Sequence, residues 1–296
     1  MDIFKQIQSI LQNISNTINC KLDSVKWQFH NNKINQLQLF YQYQSLYMQG
    51  VEIDWRNVGF SVFSQTDEDG ILLYIYSKIG FTNRLLVDIG CGIPKGSNSA
   101  NLICNWGFHG LLVEGNDAAI SRTRNFYNNN FDTKIFPPDI VNHFVTVENI
   151  NQLIEANNIR GDIDLMLLDI DGIDYWLWEK LEVIRPRVVV LEACSYLGKE
   201  EALVVPYSSD FNRFDKHPDY MGASIPAYIK LAKSKGYRLV ACNKFGFNLF
   251  FAREDEADGK LNEISVDDCF YFEPHELKMK RLKRKNEVIK FDWIKV

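Results

Sequence analysis

The sequence predicts an α/β fold: a mostly parallel, seven-stranded sheet covered by helices on both faces, ending in an antiparallel hairpin and preceded by an N-terminal helical segment. Three observations predict it. From about residue 60 onward, short apolar runs alternate with helical patterns, the signature of β-α repetition. The runs Leu165-Met-Leu-Leu168 and Val188-Val-Val-Leu191 are apolar throughout, as strands buried on both faces are. Further on, Tyr237-Arg-Leu-Val-Ala-Cys242 and Phe247-Asn-Leu-Phe-Phe251 flank the turn Asn243-Lys-Phe-Gly246, and so short a turn joins antiparallel strands.

The chain divides into residues 1–58, 59–253 and 254–296. The first stretch is rich in Gln and Asn and nearly free of Gly and Pro. Ile3, Ile7, Ile10, Ile14 and Ile18 follow a helical repeat, and Ile34, Leu37, Phe40 and Leu46 mark a second helix. Such a segment either caps the main domain or pairs with a second copy as a homo-oligomer. In the middle stretch, strands are expected at 84–89, 110–114, 133–136, 164–169 and 187–192. Helices are expected at 98–107, 117–128, 147–158, 174–184 and 223–236. The insert 193–222 is long for a compact domain and carries Tyr196, Tyr207, Phe211, Phe214 and Tyr220, so it reads as functional rather than disordered. The last stretch is polar, with a basic run at Lys278-Met-Lys-Arg-Leu-Lys-Arg-Lys285 that forms a solvated helix face or meets an anionic partner.

Bulk composition narrows the function classes. At 296 residues and 46% hydrophobic, the chain supports one large core. Its formal net charge of −5 disfavours general nucleic-acid binding. The six cysteines show no metal-binding spacing. No apolar run reaches membrane-spanning length, and Met1-Asp-Ile-Phe-Lys-Gln6 carries no secretory pattern, so a cytoplasmic location with reduced thiols is expected.

The chemistry starts at Arg84-Leu-Leu-Val-Asp-Ile-Gly-Cys-Gly92, a strand running into a glycine turn with a helix starting near Ser97-Asn98. Gly90 and Gly92 let the backbone approach a ligand closely. A dinucleotide site would place a pyrophosphate here, and Asp88 would repel it. The acid suits instead a cationic amino group beside a sulfonium, as in S-adenosylmethionine (SAM), with Asn98 close by. Glu114 closes the second strand, where an acid accepts from ribose hydroxyls. Asn116 then caps the next helix or touches the ligand. Asp139, after the expected third strand, is placed near the adenine. In Leu168-Asp-Ile-Asp-Gly-Ile-Asp174, Asp169 and Asp171 stand at the carboxyl edge of the sheet, as does Glu192. One of the two aspartates, assisted by Glu192, is the expected base. Asp169 and Glu192 would together offer an oxygen-rich Mg²⁺ site. Asp174 caps the following helix in the simplest reading. His217, in the insert, is a base or a structural residue.

The segment Phe63-Ser-Gln-Thr-Asp-Glu-Asp-Gly-Ile-Leu72 resembles the opening of FkbM-like methyltransferases, which are often encoded with bacterial surface-polysaccharide genes. Lys95-Gly-Ser-Asn-Ser99, Gly110-Leu-Leu-Val-Glu-Gly115, Leu168-Asp-Ile-Asp-Gly-Ile-Asp-Tyr-Trp176 and Arg185-Pro-Arg-Val-Val-Val-Leu-Glu192 extend the resemblance. So do Gly222-Ala-Ser-Ile225 and Phe247-Asn-Leu-Phe-Phe-Ala-Arg253, and the whole covers residues 60–253. The resemblance implies a Rossmann-like, SAM-dependent O-methyltransferase acting on a sugar or surface-polysaccharide precursor, with Asp88, Gly90 and Glu114 at the cofactor and Gln65 reaching it. Two positions depart from the pattern: Asp67 stands in place of glycine, and Ala193-Cys194 in place of Tyr/Phe-Asn. Two other classes stay open. Gly90-x-Gly92-x-x-x-Gly96 superficially permits an NAD-dependent oxidoreductase, and the fold also permits a non-catalytic scaffold. Nucleic-acid methylation is disfavoured by the absence of an Asn/Asp-Pro-Pro-Tyr/Phe motif.

Overall fold

The computed structural model describes residues 32–296 in two units, one reaching Val51 and one spanning Glu52–Val296. The expected isoleucine repeat at Ile3–Ile18 lies outside the described residues. In the first unit, residues 32–48 form helix α1. No helix among the described residues is long and apolar enough to cross a membrane.

The second unit is built on a seven-stranded sheet. Its strands are β1 (Leu85–Ile89), β2 (His109–Glu114), β3 (Asp139–Asn142), β4 (Gly161–Leu168), β5 (Ile184–Glu192), β7 (Tyr237–Cys242) and β8 (Asn248–Arg253). They lie in the order β3-β2-β1-β4-β5-β8-β7. The first five run parallel, and β8 is antiparallel to both β5 and β7. This is the expected mostly parallel sheet with a terminal hairpin. Asn243 closes the hairpin: its side-chain carbonyl accepts from the Phe247 and Asn248 N–H groups at 2.9 and 3.0 Å.

The covering helices are α2 (Glu68–Ile79), α3 (Ala100–Trp106), α4 (Asp117–Asn129), α5 (Ile150–Ala156), α6 (Asp174–Lys180) and α7 (Ile225–Ser234). On one face, Trp178 of α6 packs its ring against Phe251 and Tyr237, with centroids 5.4 and 5.8 Å away. On the other, Tyr76 of α2 packs at a tilt against Phe81 and Phe108 and donates its hydroxyl to the Asp164 carbonyl at 2.8 Å. A buried ion network ties this face down. Arg187 reaches Asp164 at 2.8 Å and Glu256 at 2.6 Å and also donates to the carbonyls of Ile79 and Gly80.

The third strand corrects the sequence reading. Residues 133–136, expected as strand, form the turn that leaves α4: Thr133 donates its hydroxyl to the Tyr127 carbonyl, and the Phe136 N–H reaches the Thr133 carbonyl. Ile135 and Phe136 are exposed rather than buried in a sheet. Pro137 and Pro138 have no N–H to give a ladder, so pairing with β2 begins at Asp139. Several helices are shorter than expected; α6 stops at Lys180 because β5 already starts at Ile184.

The insert and the final stretch fold together. Strand β6 (Leu203–Val204) pairs antiparallel with β9 (Ile294–Lys295), and between β8 and β9 lie α8 (Glu254–Ala257) and α9 (His275–Val288). Cys194, Tyr196, Tyr220 and Met221 from the insert share a small apolar core with Val288 of α9, and Phe291 and Trp293 pack on it.

Candidate active site

The carboxyl ends of β1, β2, β4 and β5 meet at a cleft with two lobes. The larger encloses about 510 Å³ and the smaller about 230 Å³; Gly90, Gly92 and Asp169 border both.

Backbone geometry opens this cleft. After β1 the chain turns at Gly90 (φ 83°) and Gly92 (φ 57°), a region that favours glycine. The N–H groups of Gly90 and Cys91 both donate to the Val113 carbonyl, which pulls the turn against β2. A Cβ on Gly90 would stand 1.8 Å from the Asp169 carbonyl oxygen, so no side chain fits between β1 and β4 here. A Cβ on Gly92 would meet nothing within 4 Å, because that position faces the cleft.

The smaller lobe holds Asp88, Asn98 and Gln65. Asp88 accepts from the Ser99 hydroxyl at 2.6 Å. Burial pushes its carboxyl up to about 7; the Ser99 bond opposes this and the Glu114 charge adds to it. The Asn98 side-chain oxygen is buried and accepts no hydrogen bond from the described residues. An amino-acid ammonium suits both groups: it would give Asp88 a cation and Asn98 a donor. Cys91 also borders the lobe, but burial pushes its thiol up, away from reactivity.

Glu114 and Asn116 border the larger lobe. Glu114 accepts the Gly92 N–H at 2.9 Å and the Asn116 N–H at 2.8 Å, one on each carboxylate oxygen. The carboxylate is thereby fixed in place, with lone pairs left for a diol. Asn116 caps α4, accepting from the Ala118 and Ala119 N–H groups. Asp139 is not brought to the cleft. It is the first residue of β3, opposite Leu111, and the strand's other end leads to the cleft. There the sequence reading missed His143 and Phe144, which wall the larger lobe with Ile170 and Phe211. Phe144 is 61% exposed, an apolar ring left at a cleft mouth. The signal for them in the sequence is position: they are the first two residues past β3.

At the β4 and β5 ends, one carboxylate oxygen from each of Asp169, Asp171 and Glu192 lies within 4.8 Å of the others. Asp169 keeps surface open to the cleft, yet protein crowds it on its other sides. That enclosure, and then the Glu192 charge, push its carboxyl well above the usual range. Burial likewise pushes Glu192 up to about 7, with the Asp171 charge adding. The two carboxyls are close enough to share a proton. Asp171 differs from both. Its φ of 55° breaks the strand alternation, and its carboxylate pairs with Arg213 of the insert at 2.6 Å. Asp174 reaches backward, accepting the Ile170 and Gly172 N–H groups, so it clasps the Asp169–Gly172 turn. His217 accepts the Asp219 N–H through Nδ1 and faces Glu287 at 3.8 Å through Nε2, and it does not border the cleft.

The segment before α2 is positioned from within. Asp69 accepts three successive N–H groups, from Val62, Phe63 and Ser64, at 2.7, 2.7 and 2.9 Å. Glu68 accepts from Asn243 and Asn248 of the hairpin. These two acids hold the loop that places Gln65 at the cleft rim.

No family model matches the chain, and no curated protein matches it. Among solved structures, it is similar to the magnesium protoporphyrin IX methyltransferase of Synechocystis PCC 6803 with bound SAM, at 12% identity over 63% of this chain and 77% of that one, with a TM-score of 0.39. It is also similar to the mitomycin 7-O-methyltransferase MmcR, at 14% identity, 62% and 56% coverage and a TM-score of 0.36. A third similarity is to the CurJ carbon methyltransferase, at 10% identity, 63% and 52% coverage and a TM-score of 0.41. The chain thus spans little more than half the length of the last two chains.

Proposed function

We propose that this protein is a SAM-dependent O-methyltransferase of the FkbM-like kind, acting on a hydroxyl of a sugar or surface-polysaccharide precursor. One observation carries the reading. A single cleft joins an ammonium-matched lobe (Asp88, Asn98) to a diol-matched lobe (Glu114), and Asp169 borders both. When bound, the donor supplies an electrophilic methyl on a sulfonium. Asp88 and Asn98 hold its amino-acid end, Glu114 its ribose, and His143 and Phe144 border the base. Asp139, expected beside the adenine, has no part in this reading.

A sugar hydroxyl is a weak nucleophile and needs a base matched to neutral pH. Glu192, raised to about 7 and adjacent to Asp169, is that base. The hydroxyl proton passes to the carboxylate pair as the C–O bond forms and the S–C bond breaks, leaving a neutral thioether. Asp171 is committed to Arg213 and orients the insert. Alignment of the reacting atoms supplies much of the rate, on the order of 7–11 kcal/mol in well-oriented systems. The cytoplasm, where sugar precursors are activated, is the proposed location.

The test is calorimetry with S-adenosylhomocysteine (SAH) and with NAD, followed by turnover of Glu192→Gln. SAH binding without NAD binding, and a turnover loss of about 10²–10⁴-fold in Glu192→Gln, are expected. NAD binding in place of SAH would establish the oxidoreductase class instead. SAH binding with no turnover of any sugar acceptor would favour a scaffold. A second reading has one observation behind it: the Asp169, Asp171 and Glu192 oxygens are spaced closely enough for a hard cation such as Mg²⁺. Turnover abolished by chelation and restored by Mg²⁺ would select it.

A further inference from the structure

A third cavity, of about 320 Å³, adjoins the site and shares Gln65 and Glu192 with the smaller lobe. Glu192 therefore borders two cavities, the smaller lobe and this one, and this one shares no described residue with the larger lobe. One wall is aromatic. The rings of Phe245 and Phe247, in the hairpin turn, are parallel within 2° and 6.4 Å apart, and Tyr196 adds a third ring. The other wall is α9. Leu277, Lys280, Arg281 and Arg284 recur at helical spacing and all border the cavity, so one face of the basic run is turned inward.

The three cations play different parts. Arg281 is buried, paired to Glu273 at 2.8 Å, and donates to the Phe245 carbonyl at 2.6 Å, which fixes the aromatic turn. Arg284 pairs with Asp219 at 2.6 Å and covers the Tyr196 ring at 4.1 Å, while its Nε is buried with no acceptor among the described residues. Lys280 is exposed and forms no ion pair among the described residues. Flat aromatic walls suit the C–H faces of a sugar ring. Lys280 and Arg284 suit an anion, through charge-assisted hydrogen bonds.

We infer that this cavity is the acceptor site and that the acceptor is an anionic sugar, whose carboxylate or phosphate meets Lys280 and Arg284 while a hydroxyl faces Glu192. The inference rests on the methyltransferase reading above. The test is calorimetry on the full chain saturated with SAH, titrated with glucuronate, glucose 1-phosphate and glucose. At least one anionic sugar should bind about tenfold more tightly than glucose, and Lys280→Gln should remove about that factor. Lys278→Gln, on the same helix but outside the cavity, should leave binding unchanged. The two anionic probes separate a uronic acid from a sugar phosphate. Equal binding of glucose, no binding of either anion, or indifference to Lys280→Gln overturns the assignment. Failure of SAH itself to bind would overturn the donor reading instead, and the preceding SAH titration reports that separately.

Discussion

The two glycines of the β1 turn should fail in different ways when each is changed to alanine. At Gly90 a Cβ would meet the Asp169 carbonyl oxygen at 1.8 Å and its carbon at 2.6 Å, and both are backbone atoms that cannot swing aside. Gly90→Ala therefore forces β1 and β4 apart as well as imposing a left-handed residue. The conformational cost is about 1–2 kcal/mol and the overpacking cost about 1–3 kcal/mol, so roughly 2–5 kcal/mol in all. At about 2–4 °C per kcal/mol for a domain of this size, Tm should fall by roughly 4–20 °C. At Gly92 only the conformational cost applies, about 1–2 kcal/mol, because nothing lies within 4 Å of the added carbon. That carbon would instead stand in the part of the cleft common to both lobes. SAH affinity should fall by about ten- to a hundredfold in Gly92→Ala, with the smaller loss of Tm. Scanning fluorimetry and SAH calorimetry on both variants decide the matter. Equal loss of Tm in the two, or Gly92→Ala binding SAH like the parent, would refute the placement of the turn and the cleft.

Two further predictions concern charge. Asp88 and Glu192 are acids held at about 7 in the fold, above their unfolded values. Each stabilises the fold while protonated, and that contribution is lost as pH rises from about 4 to about 7. Ligand-free Tm should fall over this window, whereas SAH affinity should rise as Asp88 gains the charge that attracts an ammonium. The stabilisation of Tm by SAH should therefore grow towards neutral pH, and a constant increment would contradict the role given to Asp88. Arg187→Met strands the carboxylates of Asp164 and Glu256. It should cost about 3–5 kcal/mol. Because Arg187 does not border the cleft, SAH affinity measured in the same preparation should stay within about twofold of the parent, and a large loss of binding would show that the network reaches the site.

The parts of the candidate site legible from sequence are those made by neighbouring residues. Asp88, Gly90 and Gly92 lie within one turn, and Glu114 sits at the end of the very next strand, so spacing alone is enough to bring them to one cleft. The third strand is not legible because Ile135-Phe136 is apolar while Pro137-Pro138 bars the ladder, so hydrophobicity and hydrogen-bonding capacity point to different residues. That displacement puts His143 and Phe144, rather than Asp139, at the end of β3 that borders the cleft. Asp169 and Asp171 looked equivalent because strand alternation puts them on one side. A φ of 55° at Asp171 cancels the alternation and commits it to Arg213, and no local pattern announces a partner so distant in the chain.

The basic run carries the same lesson further. Read along the chain, Lys278–Lys285 is an exposed charged helix, and on most helices that would be the whole account. Pairing of β9 with β6 and the packing of Val288, Phe291 and Trp293 on the insert draw α9 back over the sheet edge. One face of the run then borders the cavity that opens on Glu192, while Lys278 stays outside it. The two-lobed cleft is thus made mainly by the strand ends of the sheet, and the adjoining cavity by the insert, the hairpin turn and the final helix. Exchanging Lys280 should therefore alter which sugars are accepted without altering SAH binding, because among the described residues the two cavities share Gln65 and Glu192 alone.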